Sequence, residues 1–259
     1  MKVAAVQCKV GVKEAFESAE KLISEGDCDL YLLPEYFSYK VNDTFLETSK
    51  ETLKWLENVS KEFSATVAGN VIRKDEHYYN SLYIFKNGEL LGYQDKIHPT
   101  RTERSLGIKC GCKIKIFEID GVKIAALICA DILYPELSRI PALKGAEIVL
   151  NPVVSFKHSV FPAKEFRHCL YFARCFDNAY AIVKAGGVGY TFTGEECVGR
   201  SLIATHRGIP AIYRDENAEE LIQAEIDLKD IREYKEINYS LHDRNTKVLT
   251  ELLNGGMEC

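Results

Sequence analysis

No run of apolar residues in this chain approaches the roughly 18 that a membrane-spanning helix needs, so an integral helical membrane protein is not expected. A basic stretch is also lacking. Its 33 basic residues are outnumbered by 38 acidic ones, for a net charge of −5, and nothing in their order suggests a nucleic-acid partner. The opening residues MKVAAVQCKVGVKEAF hold too short an apolar core for an export signal and read as a first strand, which makes a cytoplasmic protein the expectation. Low-complexity linkers and internal repeats are missing, so a single domain over residues 1–259 is expected. Tryptophan is limited to Trp55, on a helical stretch where a core role is expected.

Cysteine is plentiful. There are nine, an odd number spread over the whole length, and without an export signal this favours reduced thiols over a disulfide framework. Cys110 and Cys112 form a C-x-C pair that is at most half a metal site. No second pair has suitable spacing and the six histidines are scattered, so the pair reads as two side chains on one face of a strand.

Helices alternate with strands along the chain. Apolar strands are expected at residues 2–8, 29–35, 65–72, 113–119, 122–129, 146–150 and 179–185. Helical periodicity covers 13–26, 44–64, 135–144 and 163–176, and the tail turns helical at 247–253. Pro135 sits in the first turn of its helix, and Gly26 and Gly145 end theirs. Asn87-Gly88 between the runs 78–85 and 89–93 marks a hairpin, because both residues tolerate positive φ; Asp120-Gly121 marks another tight turn. The hairpin leads straight into residues 94–99, and a polar loop follows through Arg101, Glu103 and Arg104 to Gly111. Short strands follow at 199–204, 208–213 and 221–226, and Asp227 opens another helix. The loop Gly186-Gly187-Val188-Gly189 lacks the spacing and the following helix of a phosphate cradle. Runs too uniform to have one face in water, joined partly by hairpins, predict an α/β fold with helices on the outer faces of its sheets rather than an open Rossmann-type sheet.

Three residues stand just past predicted strands, where α/β enzymes place their chemistry. Cys129 ends an apolar run and is followed abruptly by Ala130-Asp131, and a strand-to-helix turn lifts a side chain clear of the sheet. A buried packing thiol is the alternative for Cys129. An unperturbed thiol has a pKa of about 8.5, so a nucleophilic cysteine needs a base or a cation beside it. None of the histidines has the context of a Cys/His protease, which weakens a papain-like reading. Lys96 directly follows a hairpin strand and precedes His98-Pro99; its alternative is a solvated surface charge. Glu35 ends the run DLYLLPE, either as a helix-capping or salt-bridging group or as a site residue with a raised pKa.

Together the three motifs resemble the nitrilase superfamily, the carbon–nitrogen hydrolases, over almost the whole chain. The resemblance is carried by Gln7, LLPEYF at 32–37, YQDKIHP at 93–99, LICADILYPE at 127–136, Asn151-Pro152, ARCFDN at 173–178 and Gly199-Arg200-Ser201, in that order. It implies a four-layer αββα sandwich that pairs as a homodimer, and a Glu-Lys-Cys triad. In these roles Glu35 is the general base, Lys96 the electrostatic stabiliser and Cys129 the nucleophile, with the backbone N–H of Ala130 helping to hold the oxyanion. No metal or organic cofactor is required. Glu103 is the match to a second, substrate-positioning glutamate, its alternative being a surface ion pair with Arg101 or Arg104. Tyr36, Tyr134, Val153 and Phe156 are the candidates for the pocket wall, and their apolar character suits a partly apolar acyl group.

The chain departs from many amidase branches around the cysteine. It reads Cys129-Ala130-Asp131-Ile132-Leu133-Tyr134-Pro135-Glu136, without the tyrosine and arginine common there, and without the Trp-Glu of the nitrilase branch. Asp177 stands where glutamate is common, and Pro99 replaces an aliphatic residue. A small linear amide is therefore expected as substrate before a nitrile. Acyl transfer from the same thioester, and a catalytically silent binding protein of the same fold, are the competing readings.

Overall fold

The computed structural model describes residues 1–158 and 166–249. The chain opens with β1 (Lys2–Gln7) and a short β2 (Lys9–Val10), then α1 (Ala15–Ser24), β3 (Leu30–Leu32) and α2 (Phe45–Glu62). A meander of β4 (Thr66–Lys74), β5 (Tyr78–Lys86) and β6 (Glu89–Asp95) leads to α3 (Arg101–Ser105). Next come β7 (Phe117–Ile119), β8 (Val122–Ala126), a 3₁₀ turn at Cys129–Leu133, α4 (Pro135–Leu143) and β9 (Ile148–Val153). After α5 (His168–Asn178) follow β10 (Ala181–Gly186), β11 (Val188–Tyr190), β12 (Glu196–Cys197), β13 (Leu202–Thr205), β14 (Gly208–Ile212) and β15 (Glu220–Glu225), then α6 (Leu228–Ile237) and α7 (Tyr239–His242).

The described residues form two six-stranded sheets, ordered β15-β1-β3-β4-β5-β6 and β14-β13-β10-β9-β8-β7, and a small sheet β12-β11-β2. Alternation within single strands explains the layering. Along β1, Val3 and Ala5 face the second sheet while Ala4 and Val6 face α1 and α2. Along β9, Ile148 and Leu150 face the first sheet while Val149 faces α4 and α5. Each central strand thus buries both faces, one between the sheets and one under helices, and the result is the αββα sandwich. Trp55 packs in the outer core against Phe16 and Phe37, as expected.

Turn chemistry follows the sequence closely. Asn87 and Gly88 both have positive φ, 51° and 85°, the conformation of a tight hairpin turn. The glycine loop serves packing: a Cβ added at Gly187 would fall 2.1 Å from Val10 Cγ1.

Several expected elements differ in extent. The strand expected at 29–35 pairs only over β3, and Pro34 beyond it has no N–H to offer a ladder. Of the strand expected at 113–119, only β7 forms; the Gln94 side chain instead donates to Lys113 O and accepts from Lys115 N at 2.8 Å each, taking the place of a neighbouring strand. The run expected to end at Cys129 leaves its strand after Ala126. The polar loop that follows Pro99 and runs to Gly111 contains α3, capped by Thr100 and Glu103. Cys110 and Cys112 lie exposed on an extended loop and not on a strand. The helix expected at 163–176 is seen from His168 to Asn178, and its first residues lie outside the described residues. For the tail, 246–249 are helical and the rest of 247–253 lies outside them. No helix among the described residues is long and apolar enough to cross a membrane.

Candidate active site

Glu35 follows β3, Lys96 follows β6 and Cys129 follows β8, so both large sheets deliver their loop residues to one end of the sandwich. The backbone at Cys129 is left-handed, with φ +48°, a conformation costly for a residue with a side chain. It turns the chain sharply from strand into the 3₁₀ turn and exposes the thiol to a cavity, as in the nucleophile elbows of other hydrolases. The Asn151 amide holds this turn by donating to the carbonyls of Leu127 and Cys129, the second at 3.3 Å.

Glu35, Lys96 and Glu103 form a closed ionic cluster. Lys96 is 1% exposed, and its Nζ lies 2.8 Å from Glu35 Oε1 and 2.8 Å from Glu103 Oε2. Asn80 Nδ2 donates to both carboxylates, 2.8 Å to each, and Asn70 Nδ2 donates to Asn80 Oδ1 at 2.9 Å. Tyr36 donates its hydroxyl to Glu103 Oε1 at 2.6 Å. Thr100 N donates to Glu103 Oε2 at 2.7 Å, completing the capping box that nucleates α3. Glu103 is therefore buried with Lys96, not paired at the surface with Arg101 or Arg104.

The electrostatics push the two carboxyls apart. Burial raises the Glu35 pKa against the pull of Lys96, with Glu103 adding repulsion. Burial acts on Glu103 in the same direction, but the charge and hydrogen bond of Lys96 and the Tyr36 hydroxyl hold it below the usual carboxylate value. Two acids with separated pKa values have separable roles, one able to exchange a proton and one held ionised. Burial alone would depress the Lys96 ammonium; Glu35, Cys129 and Glu103 outweigh it and keep the group charged. Desolvation and the Glu35 charge push the Cys129 thiol far up, opposed by Lys96 and by the nearby Val154 backbone. At rest the site thus holds a protonated thiol beside a carboxyl, and a base is needed to activate it.

Asp131 joins the loops. Its carboxylate accepts from Ile97 N (3.1 Å), His98 N (2.8 Å) and Ile128 N (3.1 Å), so one buried side chain ties the lysine loop to the cysteine turn. The His98 ring lies 3.2 Å from the same carboxylate and stacks on Tyr134 at 3.7 Å.

Cys129 opens into a cavity of about 170 Å³. Ala130, Val153 and Phe156 line it; Tyr36 lies outside it as a ligand of Glu103, and Tyr134 lies outside it against His98. The other walls combine apolar residues such as Ile132, Leu133 and Leu202 with Tyr171, Arg167, Lys184 and Arg200. Tyr171 donates to Asn151 Oδ1 at 3.1 Å, which fixes its ring beneath the cavity. Sequence reasoning missed Asn80, Asp131 and Lys184. A signal existed for two of them: Asn80, with Ser81, interrupts the largely apolar run YYNSLYIF, and Lys184 interrupts the otherwise apolar AIVKAG.

A model of the carbon–nitrogen hydrolase family matches residues 2–236. The chain is 28% identical to a nitrilase of Pyrococcus abyssi over 257 residues, covering 92% of this chain and 94% of that protein. It is 29% identical to the 2-oxoglutaramate amidase of Bacillus subtilis over 219 residues, covering 80% and 82% of the two. A carbon–nitrogen hydrolase from Helicobacter pylori G27 has the same fold, with a TM-score of 0.85 over 98% of each chain at 21% identity. With the family match running through nearly the whole chain and the fold shared end to end, this protein belongs to the carbon–nitrogen hydrolase family, the nitrilase superfamily.

Proposed function

We propose that the protein is an amidase that hydrolyses the C–N bond of a small linear amide through a thioester on Cys129. The observation that carries this reading is the buried cluster in which Lys96 Nζ lies 2.8 Å from both Glu35 and Glu103, with the Cys129 thiol near enough to feel the charges of Glu35 and Lys96. Glu35 takes the thiol proton as sulfur attacks the amide carbon. The Lys96 ammonium and the Ala130 N–H stabilise the resulting oxyanion, a contribution for which loss of one donor costs about 2.7–4 kcal/mol. Protonated Glu35 then gives its proton to the departing nitrogen, and ammonia or an amine leaves. A water enters, Glu35 takes its proton, and hydroxide attack on the thioester releases the acid and restores the thiol. Glu103 remains ionised and positions Lys96. No step calls for a metal or an organic cofactor. The proposed partners are a small-molecule amide and a second copy of the chain.

A panel of short aliphatic amides tests this reading. We expect ammonia release together with a mass increase on Cys129 equal to the acyl group. Cys129→Ala is expected to keep the fold by circular dichroism and to lose both signals. No adduct on any amide, with Cys129 alkylating no faster than the exposed Cys110 and Cys112, would refute it.

A further inference from the structure

Cys110 and Cys112 are both exposed, and neither takes part in the proposed chemistry. They stand on either side of Gly111, in a segment that runs beside the ends of β5 and β6. Lys109 N donates to Tyr78 O at 2.8 Å, and Gly111 N donates to Lys96 O at 2.8 Å. Lys96 N in turn donates to Asn80 O at 2.8 Å. The backbone of Lys96 is thus gripped from both sides, and Gly111 supplies one of the two grips. Gly111 turns its bare side inward: a Cβ there would fall 2.9 Å from both Asp95 Cβ and Asp95 O. Along an extended segment the neighbouring side chains point the other way, so both thiols share one solvent-facing side.

The spacing suits a disulfide that forms only with backbone movement. An extended chain rises about 3.3 Å per residue, which sets Cα atoms two residues apart at about 6.6 Å. A disulfide spans roughly 4.4–6.8 Å and most often less than about 6 Å. Closing the ring therefore shortens the chain at Gly111, the residue between the two and the type with the widest choice of backbone angles. Positive charge surrounds the pair. Lys109 and Lys113 flank it and are exposed, and Lys115 lies near enough to Cys112, Lys113 and Arg73 for their charges to register. Asp95, beneath Gly111, is engaged by Arg73 at 3.1 Å. Such surroundings attract an anionic co-reactant.

We propose that Cys110 and Cys112 are a modification site that closes to a reversible intramolecular disulfide by exchange with an anionic low-molecular-weight disulfide of the oxidised-glutathione type, and that closure loosens Lys96. One thiolate attacks a sulfur of the oxidant, forms a mixed disulfide and expels one glutathione thiolate. The second thiolate attacks the protein sulfur of that mixed disulfide and expels the other. The two protein thiols lose two electrons, and their protons pass through water to the two glutathione thiolates. With the second thiol so close in the chain, ring closure outpaces attack by another glutathione. An exposed disulfide that strains its backbone is readily reduced again. Contraction at Gly111 withdraws its N–H from Lys96 O, and the ammonium between Glu35 and Glu103 loses part of its support. The thiol site stands independently of the amidase reading; its effect on turnover rests on that reading.

The test equilibrates the full chain with glutathione at graded ratios of oxidised to reduced form. Peptide mass mapping should find Cys110 and Cys112 joined with loss of two hydrogens, no glutathione retained, and full recovery in dithiothreitol. Hydrogen exchange followed by NMR should show the Gly111 amide exchanging about tenfold faster in the oxidised protein, the mark of a broken hydrogen bond. Turnover of a short aliphatic amide should fall about tenfold and return on reduction. The double substitution Cys110→Ser and Cys112→Ser should keep the reduced activity and lose the response to the oxidant. A stalled glutathione adduct, or free thiols at the most oxidising ratio, overturns the site. Equal inactivation of the wild type and the double variant would place the oxidation at Cys129 and overturn the link to Lys96, as would a disulfide that leaves Gly111 exchange unchanged. If no amide is turned over, the amidase reading fails by itself, and the mass map with Gly111 exchange still decides the switch.

Discussion

At the scale of single residues, the decisive feature is that two buried glutamates share one lysine and titrate apart. In the proposed mechanism Glu35 must be ionised to accept the thiol proton, and its folded pKa is raised by burial. The active form is therefore lost as pH falls through that raised value, and kcat/KM for a neutral amide should show an acid limb above the ordinary glutamate pKa of about 4.3. Glu35→Gln should lower kcat by about 10²–10⁴. Glu103→Gln is the sharper probe. Glutamine still serves the capping box of α3, but it removes the like charge that repels Glu35. The acid limb should then move to lower pH. A limb that stays in place in a pH–rate series would show that the two carboxyls are not coupled. Much of this site is legible in the sequence, because Glu35, Lys96 and Cys129 each follow a recognisable apolar run. Asn80 is not, because its role depends on β5 lying beside β4 and on Asn70, its neighbour there. Glu103 is legible as a candidate only; its burial depends on a helix too short to show periodicity.

Among the secondary-structure elements, strand ends and turns do the positioning. The loops that carry Lys96 and Cys129 leave different sheets, and Asp131 is what keeps them in register. It accepts three backbone N–H groups on two oxygens, from Ile97, His98 and Ile128. Asp131→Asn replaces one acceptor oxygen by a donor, so at least one buried N–H loses its partner, at a cost of about 1–3 kcal/mol. Asp131→Ala strands all three and should cost more. Urea unfolding should show the loss as a lower midpoint at unchanged slope, and kcat should fall with it because Lys96 and the Cys129 turn are no longer held together. Wild-type stability in the Asn variant would mean the clasp does not carry this load. Elements built by local signals are the legible ones: the Asn87-Gly88 hairpin, α1, α2 and α4 with their periodicity, and the Asp120-Gly121 turn. Those set by distant partners are not. The shortened β7 depends on the Gln94 side chain standing in for a strand, and the 3₁₀ turn at Cys129 depends on Asn151 gripping its carbonyls.

For the whole molecule, the outer helix layer on the second sheet poses a question of its own. Leu133, Ile140 and Leu143 by α4, and Phe172 and Phe176 on α5, are all more than a third exposed, and the two phenylalanine rings lie 6.2 Å apart. Their spacing puts Ile140 with Leu143, and Phe172 with Phe176, on common helix faces. Neighbouring apolar side chains of this size, left in water on adjacent helices, mark a surface that gains free energy by being covered. A second copy of the chain is the proposed cover, related by a two-fold axis so that each copy offers the same face. Leu133 also lines the cavity at Cys129, which makes the rim of the site part of this face. Dimerisation would then shield the cavity at Cys129 from water and stiffen the turn that carries the proposed nucleophile. Sedimentation velocity should show a dimer for the wild type and a monomer for the double substitution Phe172→Glu and Phe176→Glu. The monomer should keep its fold by circular dichroism but lose kcat/KM, because Leu133 is left without its cover. A wild type that sediments as a monomer at micromolar concentration would rule this arrangement out, and a monomeric variant with full activity would separate the dimer from the chemistry.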